Sequence, residues 1–186
     1  MGGAANPDNE TVTRQIDFSA GEKGVAVASE NEWYKAAYYD GEGGYYDFPM
    51  QSDDNPTVAT ADATGYVRNP GTNVANYNFG ADWNSKDGNV TTVGSAEAPS
   101  HYGTFDQAGN VWELNDEIIS DLRGVRGGSF KSDKLLELQS SGRFGTSPDR
   151  ESGRNGFRVT SLAPIPEPSS YGAIFGIVGL ATAVFF

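Results

Sequence analysis

The chain contains no cysteine among its 186 residues. Disulfides, thiolate metal sites, cysteine nucleophiles and iron–sulfur clusters are therefore excluded. Histidine is nearly as scarce, since His101 is the only one. One histidine cannot build a three-histidine metal centre within one chain, and no nucleophile-elbow motif supports a Ser–His–Asp triad. Enzyme chemistries that depend on thiols or on several imidazoles lack the residues they require.

Positive charge is also in short supply. Lysine and arginine together number 13 against 25 aspartates and glutamates, which gives a net charge of −12. Such a chain repels a phosphate backbone, so no nucleic-acid partner is expected. The acidity has two interpretations: a solvated, soluble surface, or a set of carboxylates that hold a hard cation.

Local patterns predict one helix and several short strands. Hydrophobic residues make up 37% of the chain, which supports a packed core, and 24 glycines favour turns and loops. Residues 29–40 predict a helix because Ser29 and Glu32 match a capping box and an apolar face begins four residues after Ser29. Segments 124–130 and 156–160 each predict a strand.

Composition divides the chain into four parts. A polar N-terminal remnant covers residues 1–28 and shows no export signal, and a folded domain covers 29–160. A proline-rich linker covers 161–168, and a C-terminal segment covers 169–186. The uncharged stretch 171–186 would reach roughly 24 Å as a helix, against a bilayer core of about 30 Å. We expect a membrane or sorting role for it; the alternative is a buried core helix.

Four segments, in order, carry a resemblance to a known family. They are SENEWYKAA at 29–37, GTFDQAGNVWEL at 103–114, RGGSF at 126–130 and GFRV at 156–159. Together they resemble the signature segments of the formylglycine-generating enzyme, or sulfatase-modifying factor, family. The resemblance implies an α+β, C-type-lectin-like, loop-rich fold. Family members carry a longer segment before the first helix, so we expect an N-terminally truncated domain.

The resemblance breaks down at the catalytic positions. The family's oxidases bind copper through two cysteines that follow the Gly-Gly-Ser-aromatic segment, and by spacing Ser132 and Glu137 stand there. A serine hydroxyl cannot replace a thiolate for copper(I), and a carboxylate offers only hard oxygens. We therefore expect no copper, no catalytic residues and a non-catalytic binding or scaffold module. The alternatives are an oxidase-type enzyme and a non-functional gene fragment.

The resemblance also implies two structural calcium sites. Calcium takes about six to eight oxygen ligands, and loops supply carboxylates, amides and carbonyls for them. In the first site an Asn side chain, the next carbonyl, an Asp side chain and a carbonyl two residues later correspond to Asn76, Tyr77, Asp87 and Asn89. In the second site the corresponding residues are Asp106, Gly109, Val111 and Glu113. The alternative is that Asp106 and Glu113 only cap turns.

The tail resembles a second known signal. Pro166, Glu167 and Pro168, followed by an apolar stretch, are similar to the Pro-Glu-Pro (PEP-CTERM) sorting signals that exosortase-type membrane proteases process. The resemblance implies membrane insertion through 171–186 and then display on the cell surface or in the extracellular matrix of a Gram-negative-type bacterium. No Lys or Arg follows Arg158, so we expect either incomplete sorting or a clipped basic end.

A surface module of this kind would have a surface polysaccharide or a protein as its ligand. Tyrosines are dense at positions 34, 38, 39, 45 and 46. Their rings either form a platform for sugar stacking or pack the loops of a glycine-rich domain, and we favour packing because aromatic rings bury large areas.

Overall fold

The computed structural model describes residues 25–161, in which one short helix lies among short strands and long loops. In chain order the elements are β1 (Val25–Val27), α1 (Glu30–Tyr38), β2 (Thr57–Val58), β3 (Val74–Ala75), β4 (Trp112–Ile119), β5 (Leu122–Arg126), a 3-10 helix (Leu135–Glu137), β6 (Phe144–Thr146), β7 (Asn155–Phe157) and β8 (Val159–Ser161).

Helix α1 confirms the predicted helix and its start. The Ser29 hydroxyl accepts a hydrogen bond from the Glu32 amide, and the Glu32 carboxylate accepts one from the Ser29 amide at 2.8 Å. This reciprocal pair satisfies two amide groups that an uncapped helix would leave unpaired. Trp33 is only 1% exposed, so the face predicted to be apolar is the buried one. The helix ends at Tyr38, shortly before Gly41, which has a φ of +88°.

The main sheet has the strand order β6-β5-β4-β7. Strand β4 is its longest member and pairs antiparallel with β5 and parallel with β7. The pairing of β4 with β5 changes register between Leu114 and Ile118, which is the mark of a β-bulge. Residues 103–114, the signature segment from here on, therefore lead directly into β4, the longest strand of this sheet.

The strand predicted over 124–130 is real but ends earlier. Strand β5 stops at Arg126 because Gly127 and Gly128 adopt φ values of +88° and +75°, outside the extended region. A Cβ on Gly127 would lie 2.6 Å from the Gln107 carbonyl oxygen, so only glycine fits this approach. The remainder of RGGSF is a tight turn rather than a strand.

The strand predicted over 156–160 is two strands in the structure. Strand β7 pairs with β4, and β8 pairs antiparallel with β1. Arg158 lies between them, at the point where the chain leaves one sheet for the other. Strand β1 therefore lies within the segment 1–28 and is hydrogen-bonded to β8, the last strand of the domain. The N-terminal truncation stays a prediction.

A buried carboxylate fastens α1 to the sheet. Glu30 pairs with Arg126 of β5 at 2.6 Å and with Arg143 at 2.7 Å. Burial raises the pKa of Glu30, but hydrogen bonds from Arg143 and Arg126 together outweigh burial and hold it below its ordinary value. The helix is thereby held in one orientation by two residues more than ninety positions away along the chain.

Across residues 25–161 the structure contains no helix that is long and apolar enough to cross a membrane. The sorting motif Pro166–Pro168 and the stretch 171–186 lie outside the described residues.

Candidate functional site

The signature segment turns sharply before it enters β4. Gly109 has a φ of +75°, and a Cβ there would lie 2.1 Å from the Asn76 carbonyl oxygen. The close approach lets the Asn110 amide donate to that same carbonyl at 2.8 Å. Loop 76–91 and the signature segment are therefore in direct backbone contact, which a side chain at position 109 would prevent.

Glu113 is the polar centre of the domain. Its Oε2 atom accepts hydrogen bonds from the Trp33 indole at 2.6 Å and from the Arg158 guanidinium at 2.5 Å. Burial raises the pKa of Glu113, Arg158 and Trp33 act against that rise, and the charge of Asp106 adds to it. The carboxylate thus joins α1, β4 and the link between β7 and β8.

Two members of the second predicted calcium set, Asp106 and Glu113, interact electrostatically, because the charge of Asp106 raises the pKa of Glu113. Asp106 is half-buried, its Oδ2 atom accepts from the Gly94 amide at 2.7 Å, and burial raises its pKa. Arg158 donates to the Phe105 carbonyl as well as to Glu113, so its guanidinium lies between the two ends of the signature segment. Sequence reasoning missed Arg158, although it is the arginine of the GFRV motif.

The first predicted calcium set is only partly assembled. The Asn76 amide nitrogen donates to the Asn89 carbonyl at 2.9 Å and to the Asn110 side chain at 3.2 Å. The Asn76 Oδ1 atom is buried and has no hydrogen-bond partner among the described residues. The Tyr77 carbonyl accepts from the Gly80 amide at 3.1 Å, and the Asp87 side chain is exposed.

The positions that correspond to the copper ligands of the oxidases hold Ser132 and Glu137, and neither is a soft ligand. The Ser132 hydroxyl is buried and accepts from the Ser129 amide at 2.9 Å within the turn that follows β5. Glu137 ends the 3-10 helix. Between residues 25 and 161 no group of three or more His, Cys, Asp or Glu side chains is arranged to hold a metal ion.

The predicted aromatic cluster divides into a buried and an exposed part. Tyr38 is fully buried, and its hydroxyl donates to the Leu138 carbonyl at 3.0 Å. Tyr45 is 49% exposed, and Tyr39 stacks on Tyr102 with ring centroids 5.9 Å apart. His101 is exposed and lies edge-on to Tyr39, which identifies it as a loop residue.

One opening in the described part of the chain is a groove that the sequence did not predict. Its volume is about 830 Å³, and loops 86–90, 130–131 and 152–154 line it. A second cavity of about 190 Å³ adjoins it and shares Ser152 and Arg154 with it. The groove could not be found from the sequence because three separated loops form it.

The chain belongs to the sulfatase-modifying factor enzyme 1-like domain family, whose pattern matches residues 17–162. The strand-rich, loop-rich structure with little helix is consistent with a C-type-lectin-like fold. A comparison with curated proteins found no match.

Among solved structures, the chain is similar to variable protein 1 of Treponema denticola, with 24% identity and a TM-score of 0.46. The match covers 74% of this chain and 47% of that one, so the chain spans about half the length of that protein.

A double-mutant cycle tests the link at Glu113. We expect Glu113→Gln and Arg158→Met each to destabilise the fold, because Arg158→Met leaves a buried carboxylate beside Asp106 without its cation. The double variant should lose less free energy of unfolding than the sum of the losses in the two single variants, with a coupling energy of about 1–3 kcal/mol. Urea denaturation of the full chain measures this.

The matched control cycle combines Arg158→Met with Glu42→Gln, an exposed glutamate in a different loop. Those two changes should be additive. Additivity in the Glu113–Arg158 cycle as well would show that the ion pair does not stabilise the domain.

Proposed function

We propose that this chain is a non-catalytic binding or scaffold module of the sulfatase-modifying factor family, displayed on the bacterial cell surface or in its exopolysaccharide matrix. The observation that carries the proposal is a contrast. The structural centre of the family signature is intact around Glu113, while the turn after β5 carries Ser132 where the family's oxidases need a thiol. A groove of about 830 Å³ remains open beside that turn.

The state of Ser132 supports this proposal. A serine hydroxyl of ordinary pKa is not ionised at neutral pH and is not a soft ligand, so it offers copper(I) no suitable donor. Here the Ser132 hydroxyl also accepts a hydrogen bond from a backbone amide, and Ser132 is only 4% exposed. No cysteine elsewhere in the chain can take over the role. The fold alone does not transfer the activity of its relatives, because activity depends on the site.

The purified chain should leave a cysteine-containing sulfatase peptide unchanged, with or without copper, because it holds no thiol to bind the metal. Mass spectrometry of the peptide measures the outcome, and an active formylglycine-generating oxidase serves as the positive control. Appearance of the formylglycine product with this chain would overturn the non-catalytic proposal.

We also propose that the domain binds calcium through the two oxygen-rich sets. The Asn76 Oδ1 atom fits such a ligand, because a buried acceptor without a donor is costly and a cation would satisfy it. The Asn89 carbonyl accepts from the amide nitrogen of the same Asn76 side chain, and Asp87 lies two residues before Asn89. These residues would hold the ion in the first site, with the Tyr77 carbonyl beside them.

The second set fits calcium for an electrostatic reason. Asp106 and Glu113 each have a raised pKa, and repulsion from Asp106 contributes to that of Glu113. A bound cation would relieve this repulsion, and the carbonyls of Gly109 and Val111 would complete the oxygen set. Arg158 already offsets part of the negative charge, so calcium would add to that contact instead of replacing it.

Saturating calcium should raise the melting temperature by about 5–10 °C, because a ligand that binds only the folded state stabilises it. The rise should shrink as the pH falls, since protons compete with calcium for Asp106 and Glu113 and their raised pKa values bring that competition to less acidic pH. Asn76→Ala and Glu113→Gln should each reduce the rise.

Calorimetry with calcium and then with a chelator gives the measurement, and circular dichroism establishes that each variant is folded. Glu42→Gln, which removes an exposed charge far from both sets in the chain, should keep the full response. A folded wild-type chain whose melting temperature ignores calcium would contradict the proposal.

The tail gives the proposal its location. Pro166, Glu167 and Pro168 precede an uncharged stretch, and exposing such a stretch to water is unfavourable. We propose that residues 171–186 associate with the membrane and that an exosortase-type protease processes the chain near the Pro-Glu-Pro motif.

In a bacterium with an exosortase, the full chain should enter the membrane fraction, and a variant without residues 164–186 should not. Reordering residues 164–170 while keeping 171–186 should retain membrane association and abolish processing. Immunoblots of fractionated cells measure both effects. Equal partitioning of the full and shortened chains would contradict the membrane role.

A further inference from the structure

The groove beside the β5 turn concentrates positive charge on an acidic chain. Lys86, Lys131 and Arg154 line the larger cavity, and Arg150 joins Arg154 in the adjoining one. The only acidic side chain among the residues that line either cavity is Asp87. Asp149 and Glu151 flank Arg150 in the chain but line neither cavity. The local excess of positive charge stands against a net charge of −12 for the whole chain.

These cations have no structural partner that explains them. Within residues 25–161, the side chains of Lys86, Arg150 and Arg154 make no ion pair or hydrogen bond. Lys131 lies over aromatic rings instead, with its Nζ atom 5.4 Å from the centroid of Phe79 and 5.6 Å from that of Phe130. By contrast, Arg126 and Arg158 form ion pairs with the buried glutamates Glu30 and Glu113.

Aromatic and polar groups complete the lining. Trp112 and Phe144 form an edge-to-face pair in the adjoining cavity, with ring centroids 5.2 Å apart, and both are half-buried. Asn89, Ser152 and Asn155 add amide and hydroxyl groups that donate and accept hydrogen bonds. The volume of the larger cavity, about 830 Å³, lies in the range of sites that hold small ligands.

We propose that this groove binds an acidic oligosaccharide, a chain of sugars that carry carboxylates. Arg154, Arg150 and Lys131 would pair with the carboxylates, the rings would contact the apolar sugar faces, and the amides and hydroxyls would bind sugar hydroxyls. The proposal rests on the binding function argued above and names the class of ligand.

The mixed lining of the groove favours an acidic glycan over other ligands. An acidic peptide would satisfy the cations but would leave the aromatic pair and most of the hydroxyl-binding groups without a role. A neutral sugar would leave the cations without a role.

Calorimetric titration of the full chain with hexagalacturonate tests the proposal, with maltohexaose as the neutral sugar of equal length. Hexagalacturonate should bind, and its affinity should fall as salt is added. The double variant Arg154→Met/Lys131→Met should lose at least about tenfold in affinity, as expected for losing charged hydrogen bonds. The control Arg68→Met/Lys134→Met removes the same charge outside the groove and should bind as the wild type does.

Four outcomes would overturn the proposal: no binding by a folded chain, equal binding of maltohexaose, equal losses in both double variants, or tighter binding of hexaglutamate or a single-stranded hexanucleotide. None of these outcomes is evidence of oxidase activity, so none of them contradicts the non-catalytic proposal. Formation of formylglycine by the same preparation would instead overturn that function.

Discussion

The fold depends on one buried carboxylate. Glu113 receives donors from Trp33, 80 residues before it, and from Arg158, 45 residues after it. A buried carboxylate without donors would be strongly destabilising, so helix, central strand and closing strands must be in place together. Glu30 applies the same constraint from the helix, through Arg126 and Arg143. Two acidic side chains thereby fix the orientation of one short helix, whose apolar face is buried through Trp33, Ala37 and Tyr38.

The loops are held in a comparable way by close backbone approaches and buried amides. Gly109 and Gly127 let the signature segment contact loop 76–91 on one side and the turn after β5 on the other. The buried Asn76 side chain donates to that of the buried Asn110 across the first of these contacts, and the buried Gln107 side chain donates to the Trp33 carbonyl of α1. A domain with several small apolar clusters uses such polar contacts where a larger core would use side-chain packing.

Features that depend on contacts between residues close in the sequence could be predicted, and features that depend on contacts between distant residues could not. The capping box at Ser29 acts over three residues, so the helix was predictable. Glycines 127 and 128 marked a break, but the sequence does not show the close approach of the Gln107 carbonyl that requires glycine at position 127. Strands β2 and β3 have two residues each, too few for a periodic pattern. The groove depends on loops brought together only by the folded sheet, and the role of Arg158 depends on Glu113 being buried.

The distribution of positive charge is the feature that packing alone does not explain. Arg126, Arg143 and Arg158 neutralise buried glutamates. Four other cations neutralise no carboxylate in the described part of the chain and line one groove or its adjoining cavity: Lys86, Lys131, Arg150 and Arg154. An acidic surface around a cationic groove focuses the positive potential inside it. It also penalises any anion whose charges extend beyond the groove, so selectivity depends on how widely the charges of the ligand are spaced.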